Sequence, residues 1–277
     1  MNKREITLGH SPDPDDAFMF YALAAEKIDT GNLTFRHIIQ DIETLNRRAL
    51  NAELDVTAVS IHTYAYVLND YALLTSGASM GNNYGPLLIS RKPMTLDEAK
   101  TKTIAIAGKM TTSALALRLC LGDVETVEIP FDKIMDAVDS GEVEAGLLIH
   151  EGQLTYKARG FNKVVDLGEW WMQETGLPLP LGGNAIKKSL GNELIQRVSN
   201  LLRESIEYGL ANREVAVRHS MKYGRGMEES LTDKFVGMYV NDYTIDYGER
   251  GRKAVQLLLE RAHQAGIIPS PVELEFA

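Results

Sequence analysis

Ile6-Thr7-Leu8-Gly9-His10 runs directly into Ser11-Pro12-Asp13-Pro14-Asp15-Asp16 and then into Ala17-Phe18-Met19-Phe20-Tyr21-Ala22-Leu23-Ala24-Ala25. A short apolar run, a turn rich in helix-starting residues and an apolar helical stretch make one strand-turn-helix unit. The unit recurs: Leu33 to Ile39 alternates in polarity like a strand, Ile42 to Asn51 reads as a helix, and Asp55 to Ser60 reads as a buried strand leading into a helix through Val67. After Arg91-Lys92-Pro93 a second series begins, with strands at Thr103–Ala107, Val124–Ile129 and Ala145–Ile149 and helices at Thr111–Leu121 and Phe131–Ser140. Such alternation predicts the α/β class, with mixed but mainly parallel sheets covered by helices on both faces.

The pattern breaks at Glu169–Gly183, where two tryptophans and Leu177-Pro178-Leu179-Pro180-Leu181-Gly182 occur. The prolines exclude a regular helix there and disfavour a central strand. From Leu190 to Ala265 apolar residues recur at helical spacing, as in Leu194, Val198, Leu201 and Leu202. Two α/β lobes followed by a helical return imply a discontinuous first lobe, residues 1–88 with 187–277, and a second lobe, residues 89–186. The crossings fall near 85–91 and 181–187, and a cleft between such lobes is a favoured ligand site.

Composition narrows the function. The chain has 277 residues, 44% hydrophobic and 24% charged, as in an ordinary globular protein. Its formal net charge of -9 and the lack of a basic stripe exclude nucleic acid as the main partner. No apolar run approaches the roughly 20 residues that span a bilayer. The opening Met1-Asn2-Lys3-Arg4-Glu5 leaves no room for a signal peptide's apolar core, so a cytoplasmic location is expected. The single cysteine, Cys120, lies in an apolar helical pattern and reads as a small core residue.

Several strand-to-helix junctions carry polar residues. Leu147-Leu148-Ile149-His150-Glu151 delivers a histidine at the end of a buried-looking run, where it is either a satisfied core side chain or a reagent. Gly108-Lys109-Met110-Thr111-Thr112-Ser113 opens a helix, whose free N–H groups and hydroxyls suit an anion; helix capping explains the same residues. It lacks the glycine spacing of a Walker loop. In the opening turn, Asp15 or Asp16 caps a helix, or Asp16 faces the cleft and binds a hydroxylated substrate. Ser60 either caps the next helix or points into the cleft, while His62 reads as structural. No metal site is expected: the three aspartates lack a calcium loop's spacing, and no His-Glu-x-x-His or cysteine pair occurs. A Ser/His/Asp triad has no nucleophile elbow to support it.

The chain resembles the 1,4-dihydroxy-6-naphthoate synthases of the futalosine route to menaquinone, which share the type II periplasmic-binding-protein fold. The resemblance rests on Ser11 to Leu23, Asp41-Ile42-Glu43-Thr44-Leu45-Asn46, Gly85-Pro86-Leu87, Thr111-Thr112, Gly141 to Glu151, Val165 to Trp171 and Gly176 to Gly182, in order along most of the first 185 residues. It implies two lobes around a central cleft, and a cofactor-free lyase that converts cyclic dehypoxanthine futalosine to 1,4-dihydroxy-6-naphthoate. It also implies that His150 is the general base. Thr111 and Thr112 would bind a carboxylate-bearing small molecule, with Ala58, Val59, Ser60, Ser11 and Asp16 also contacting the substrate and Ser60 and Asp16 on the facing lobe.

Two departures mark this chain. The family's opening motif more often reads Ser-Pro-Cys-Pro-Asn-Asp, so Asp13 and Asp15 make this wall more acidic, and Ala58 stands where lysine is common. The rival readings are a sibling lyase such as chorismate dehydratase, whose family is not expected to carry the Ile-His-Glu segment, and a cytoplasmic carboxylate-binding protein. The sequence leaves the oligomeric state open.

Overall fold

The computed structural model describes residues 3–277. Eleven strands form two sheets among the described residues. Those of the first part of the chain are β1 (Arg4–His10), β2 (Leu33–Ile39), β3 (Val56–Ser60), β4 (Tyr71–Leu73), β5 (Ser79–Gly81) and β6 (Leu87–Ser90). They are followed by β7 (Ile104–Ile106), β8 (Thr126–Glu128), β9 (Ala145–Leu148), β10 (Asn162–Asp166) and β11 (Leu179–Lys187). The first sheet has the order β2-β1-β3-β11-β4, with β5 also on β11; the second has the order β10-β6-β9-β7-β8.

Parallel pairing is confined to one half of each sheet. β1 runs parallel to β2 and β3, and β7 parallel to β8 and β9. β11 runs antiparallel to β3, β4 and β5, and β6 antiparallel to β9 and β10. The sheets are therefore more evenly mixed than alternation alone suggested, because β6 and β11, the strands at the crossings, pair with strands distant in sequence and not through a βαβ unit.

β11 also departs from the sequence expectation. Pro180 sits within it, opposite Met80 of β5, and a bulge separates it from Gly182. Only from Gly182 onward does β11 pair with β3, so the proline occupies a margin where a missing N–H is tolerated. β11 joins the first sheet from Leu179, ahead of the return crossing expected at 181–187. The tryptophan stretch before it is a helix, Leu167–Thr175, capped by Asp166, which accepts from the N–H groups of Gly168 and Glu169.

The amphipathic patterns bury what they predict. Ile6 and Leu8 of β1 pack with Phe18, Met19 and the Val198, Leu201 and Leu202 face of helix Asn192–Ala211. Each such side chain contributes about 1.5–3 kcal/mol of burial. The Ser205 hydroxyl ties that helix back by donating to Met19 O at 2.7 Å. The chain's end completes the same sheet: Leu73 N–H donates to Glu275 O at 3.0 Å and Ala277 N–H to Leu73 O at 2.8 Å, covering the edge of β4. Among the described residues no helix is long and apolar enough to cross a membrane.

Candidate active site

The C-terminal ends of β1, β3, β7 and β9 open toward one cleft with about 780 Å³ of empty space. Ser11, Asp13, Asp15 and Asp16 follow β1, Ala58 and Ser60 end β3, Thr111 to Ser113 follow β7, and Ile149 follows β9; all line it. Strand C-termini are where open α/β sheets place ligands.

Ser60 is held by a residue of another helix. Its N–H donates to Asn46 Oδ1 at 2.9 Å, and its hydroxyl accepts from Asn46 Nδ2 at 3.0 Å. The hydroxyl makes no capping bond, so it faces the cleft instead of closing helix Ile61–Tyr64. Val59, one residue earlier, is fully buried in the core and absent from the cleft wall, because neighbouring strand residues face opposite sides.

The two threonines divide their duties. Thr111 caps helix Thr112–Leu121 by accepting from Ala114 N–H, and donates to Gly108 O at 2.8 Å. Thr112 donates to Leu181 O at 2.5 Å and accepts from His62 N–H at 3.2 Å, joining elements of the two sheets. Both hydroxyls and the Ala114 N–H are thus engaged, which leaves the N–H groups of Thr112 and Ser113 as the donors available to a ligand there.

The aspartate wall carries unequal charges. Asp16 accepts from Ser11 N–H at 2.6 Å, yet burial, aided by Asp13, pushes its carboxyl up to about 6. Asp15 is raised further still, by burial first and then by the negative charges of Asp16 and Asp13. Neither side chain caps the following helix: its N-cap is Asp13, which makes no capping bond and instead receives the Ser11 hydroxyl at 3.0 Å.

His150 stands one residue behind the wall. Its ring is 4% exposed, edge-on to Phe131 with centroids 5.5 Å apart, and borders an adjoining pocket with Glu151, Gly152 and Arg225. Nδ1 accepts from Gly152 N–H at 3.0 Å and lies 3.5 Å from Glu151 Oε2. Nε2 is buried with no hydrogen-bond partner among the described residues. Unpaired buried nitrogens are costly, so this atom is the part of the ring with unused bonding capacity. Burial opposes the Glu151 charge, but bonding and charge from His150, with Arg225 beside it, hold that carboxyl down at about 2.

Sequence reading missed four lining side chains. Gln153 accepts from Tyr239 Oη at 2.7 Å, Phe235 packs on Tyr239, and Asn184 of β11 presents a buried Oδ1 without a partner. Each reaches the cleft from a segment distant in sequence or from the proline-marked strand.

The family model described as menaquinone biosynthesis matches residues 6–264. This chain belongs to the menaquinone biosynthesis family. Within it, a protein from Thermus thermophilus named 1,4-dihydroxy-6-naphthoate synthase is 38% identical over 96% of this chain and 97% of its own length. The crystal structure of protein AF1704 from Archaeoglobus fulgidus superposes with a TM-score of 0.92 at 46% identity, covering 95% of this chain and 98% of that one. The alkanesulfonate-binding protein SsuA from Xanthomonas axonopodis pv. citri bound to MOPS aligns over 100% of both chains with a TM-score of 0.74 at 11% identity. That likeness shows that this menaquinone biosynthesis protein has the periplasmic-binding-protein fold.

Proposed function

We propose that this chain is a lyase that forms 1,4-dihydroxy-6-naphthoate from cyclic dehypoxanthine futalosine in menaquinone biosynthesis. The observation that carries the reading is near full-length similarity to a relative of that name, in a chain with a buried histidine one residue behind the cleft wall whose Nε2 has no partner among the described residues. The substrate is a carboxylate-bearing small molecule in the cytoplasm; the acidic surface, with net charge -9, suits neither nucleic acid nor an anionic membrane as a partner.

In this reading His150 removes a proton from the substrate, the sugar-derived ring opens, and carbon–carbon cleavage leads to the aromatic product. Nδ1 accepts from Gly152 N–H, which leaves the ring proton on Nε2. A base acting through Nε2 needs that proton on Nδ1, facing Glu151. Productive binding therefore turns the ring toward the cleft and exchanges its tautomer. The first turn of helix Thr112–Leu121 holds the substrate, with Ser60, Ser11 and Asp16 on the facing wall. The two sheets are the cores of two lobes, the second running from β6 to β10 and its following helix and the first including β11 from Leu179, whose closure excludes water.

The test is turnover of cyclic dehypoxanthine futalosine by the wild-type protein and His150→Ala, read as naphthoate formed, with folding checked by circular dichroism. Product from the wild type and a loss of about 100-fold or more in the folded variant are expected. Binding without product from the wild type overturns the lyase reading in favour of a binding protein.

A further inference from the structure

Arg225 lies in the connection before helix Glu229–Tyr239, far in sequence from every cleft motif. Its backbone takes φ +48°, an uncommon conformation for a residue with a side chain, and Gly226 follows at φ +84°. That turn points the guanidinium between the two walls. Nη1 donates to Glu151 Oε1 at 2.9 Å and Oε2 at 2.8 Å, while Nη2 donates to Asp13 Oδ1 at 3.0 Å and Pro12 O at 3.1 Å. The guanidinium also lies 4.5 Å from the centre of the Phe131 ring, whose edge faces His150. One side chain thus meets the turn after β1, the segment after β9 and the aromatic residue beside the imidazole.

We propose that Arg225 is a positioning residue of this site, holding Glu151 against His150 while tying the β1 turn to the β9 turn. The inference rests on the reading of His150 as the base. A planar fork makes two such engagements where an ammonium makes only a point contact. Arg225 also shares the Glu151 charge that would otherwise act on the imidazole alone. The charged groups facing His150 are Glu151 from its own segment, Asp13 from the β1 turn and Arg225 from the helical region, with the exposed Glu228 on the far side of the same pocket. Removing the cation leaves two carboxylates to favour a protonated ring, whereas removing Glu151 leaves the cation to disfavour it.

The experiment follows wild type, Arg225→Gln, Arg225→Lys and Glu151→Gln by the pH profile of kcat/KM and by ¹⁵N-histidine NMR titration of the free proteins. Expected for Arg225→Gln is a fall in kcat/KM of about 10-fold or more, with the acid limb and the His150 titration moved up by about one pH unit. Glu151→Gln moves both downward, and Arg225→Lys restores the limb but not the rate. An Arg225→Gln protein whose titration matches wild type overturns the inference, as does a rate loss that only tracks a lower melting temperature. If Arg225→Gln does not fold, Arg225→Lys decides: a wild-type rate overturns the fork. Because NMR needs no turnover, the imidazole can shift in a protein inactive on this substrate, which separates failure of this inference from failure of the proposed reaction.

Discussion

Asp16 makes the cleft wall sensitive to pH at a single residue. Burial, partly opposed by the Ser11 hydrogen bond, raises its carboxyl from an ordinary 3.8 to about 6. Between those values the folded protein keeps a proton that the unfolded chain releases, so this residue's contribution falls as pH rises through the window. Glu151, held near 2, acts in the opposite sense: its contribution is present above about 4.5 and is lost as pH falls toward 2. Asp16→Asn keeps an acceptor for Ser11 N–H and removes the titration. The variant is expected to gain stability over wild type at pH 7 relative to pH 4, by about 3 kcal/mol at most, in urea melts at both values. An equal difference at the two pH values rules the account out. The residues legible in advance were those at strand ends: Ser11, Asp16, Ala58, Ser60, Thr111 and Thr112 all line the cleft. Val59 failed because a strand turns alternate residues away, and Arg225, Gln153 and Asn184 carry no local pattern that announces where tertiary folding will bring them.

Elements were legible wherever one period dominated. β2 matches its predicted span, and helix Ile42–Leu50, capped by Asp41, falls within one residue of its expected end. The helix expected through Val67 stops as a regular element at Tyr64, and the one expected over 17–25 is broken at Phe20. β11 was hidden because two prolines speak against a strand, while its pairing is decided by β3, β4 and β5, which no local signal reveals. At the crossing into the second sheet, helix Leu167–Thr175 begins hard against the chain at Tyr84 and Gly85. A Cβ on Gly168 would sit 1.9 Å from Tyr84 O and 2.6 Å from Gly85 N, both backbone atoms that cannot swing aside as a side chain can. Gly168→Ala must therefore displace the helix start or the crossing, and is expected to cost roughly 1–3 kcal/mol, the range of overpacked sites. Chemical denaturation measures it; a variant within about 0.5 kcal/mol of wild type contradicts this tight contact.

At the scale of the whole molecule, the cleft is crossed by ties of different strength. Buried ones are Thr112 to Leu181 and His62, and the Glu43 carboxylate to Met110 N–H at 3.2 Å. The exposed one is Arg47 to Glu128 at 2.9 Å. Exposed pairs contribute about 0–1 kcal/mol each and are screened by salt, whereas buried hydrogen bonds are not. The closed arrangement is then held mainly near the helix start at Thr112 and by Arg225 between Glu151 and Asp13, and the rim around Glu128 is the part that yields. Opening about those inner contacts lets a ligand enter, and a ligand bound to both walls favours closure by its differential affinity. Small-angle scattering is expected to give a larger radius of gyration for the free protein at high salt than at low salt, and a compact, salt-insensitive value with saturating naphthoate product. A radius unchanged by salt and by product would mean that the lobes move as one body and that entry depends on local motion, with the connection carrying Arg225 the first place to look.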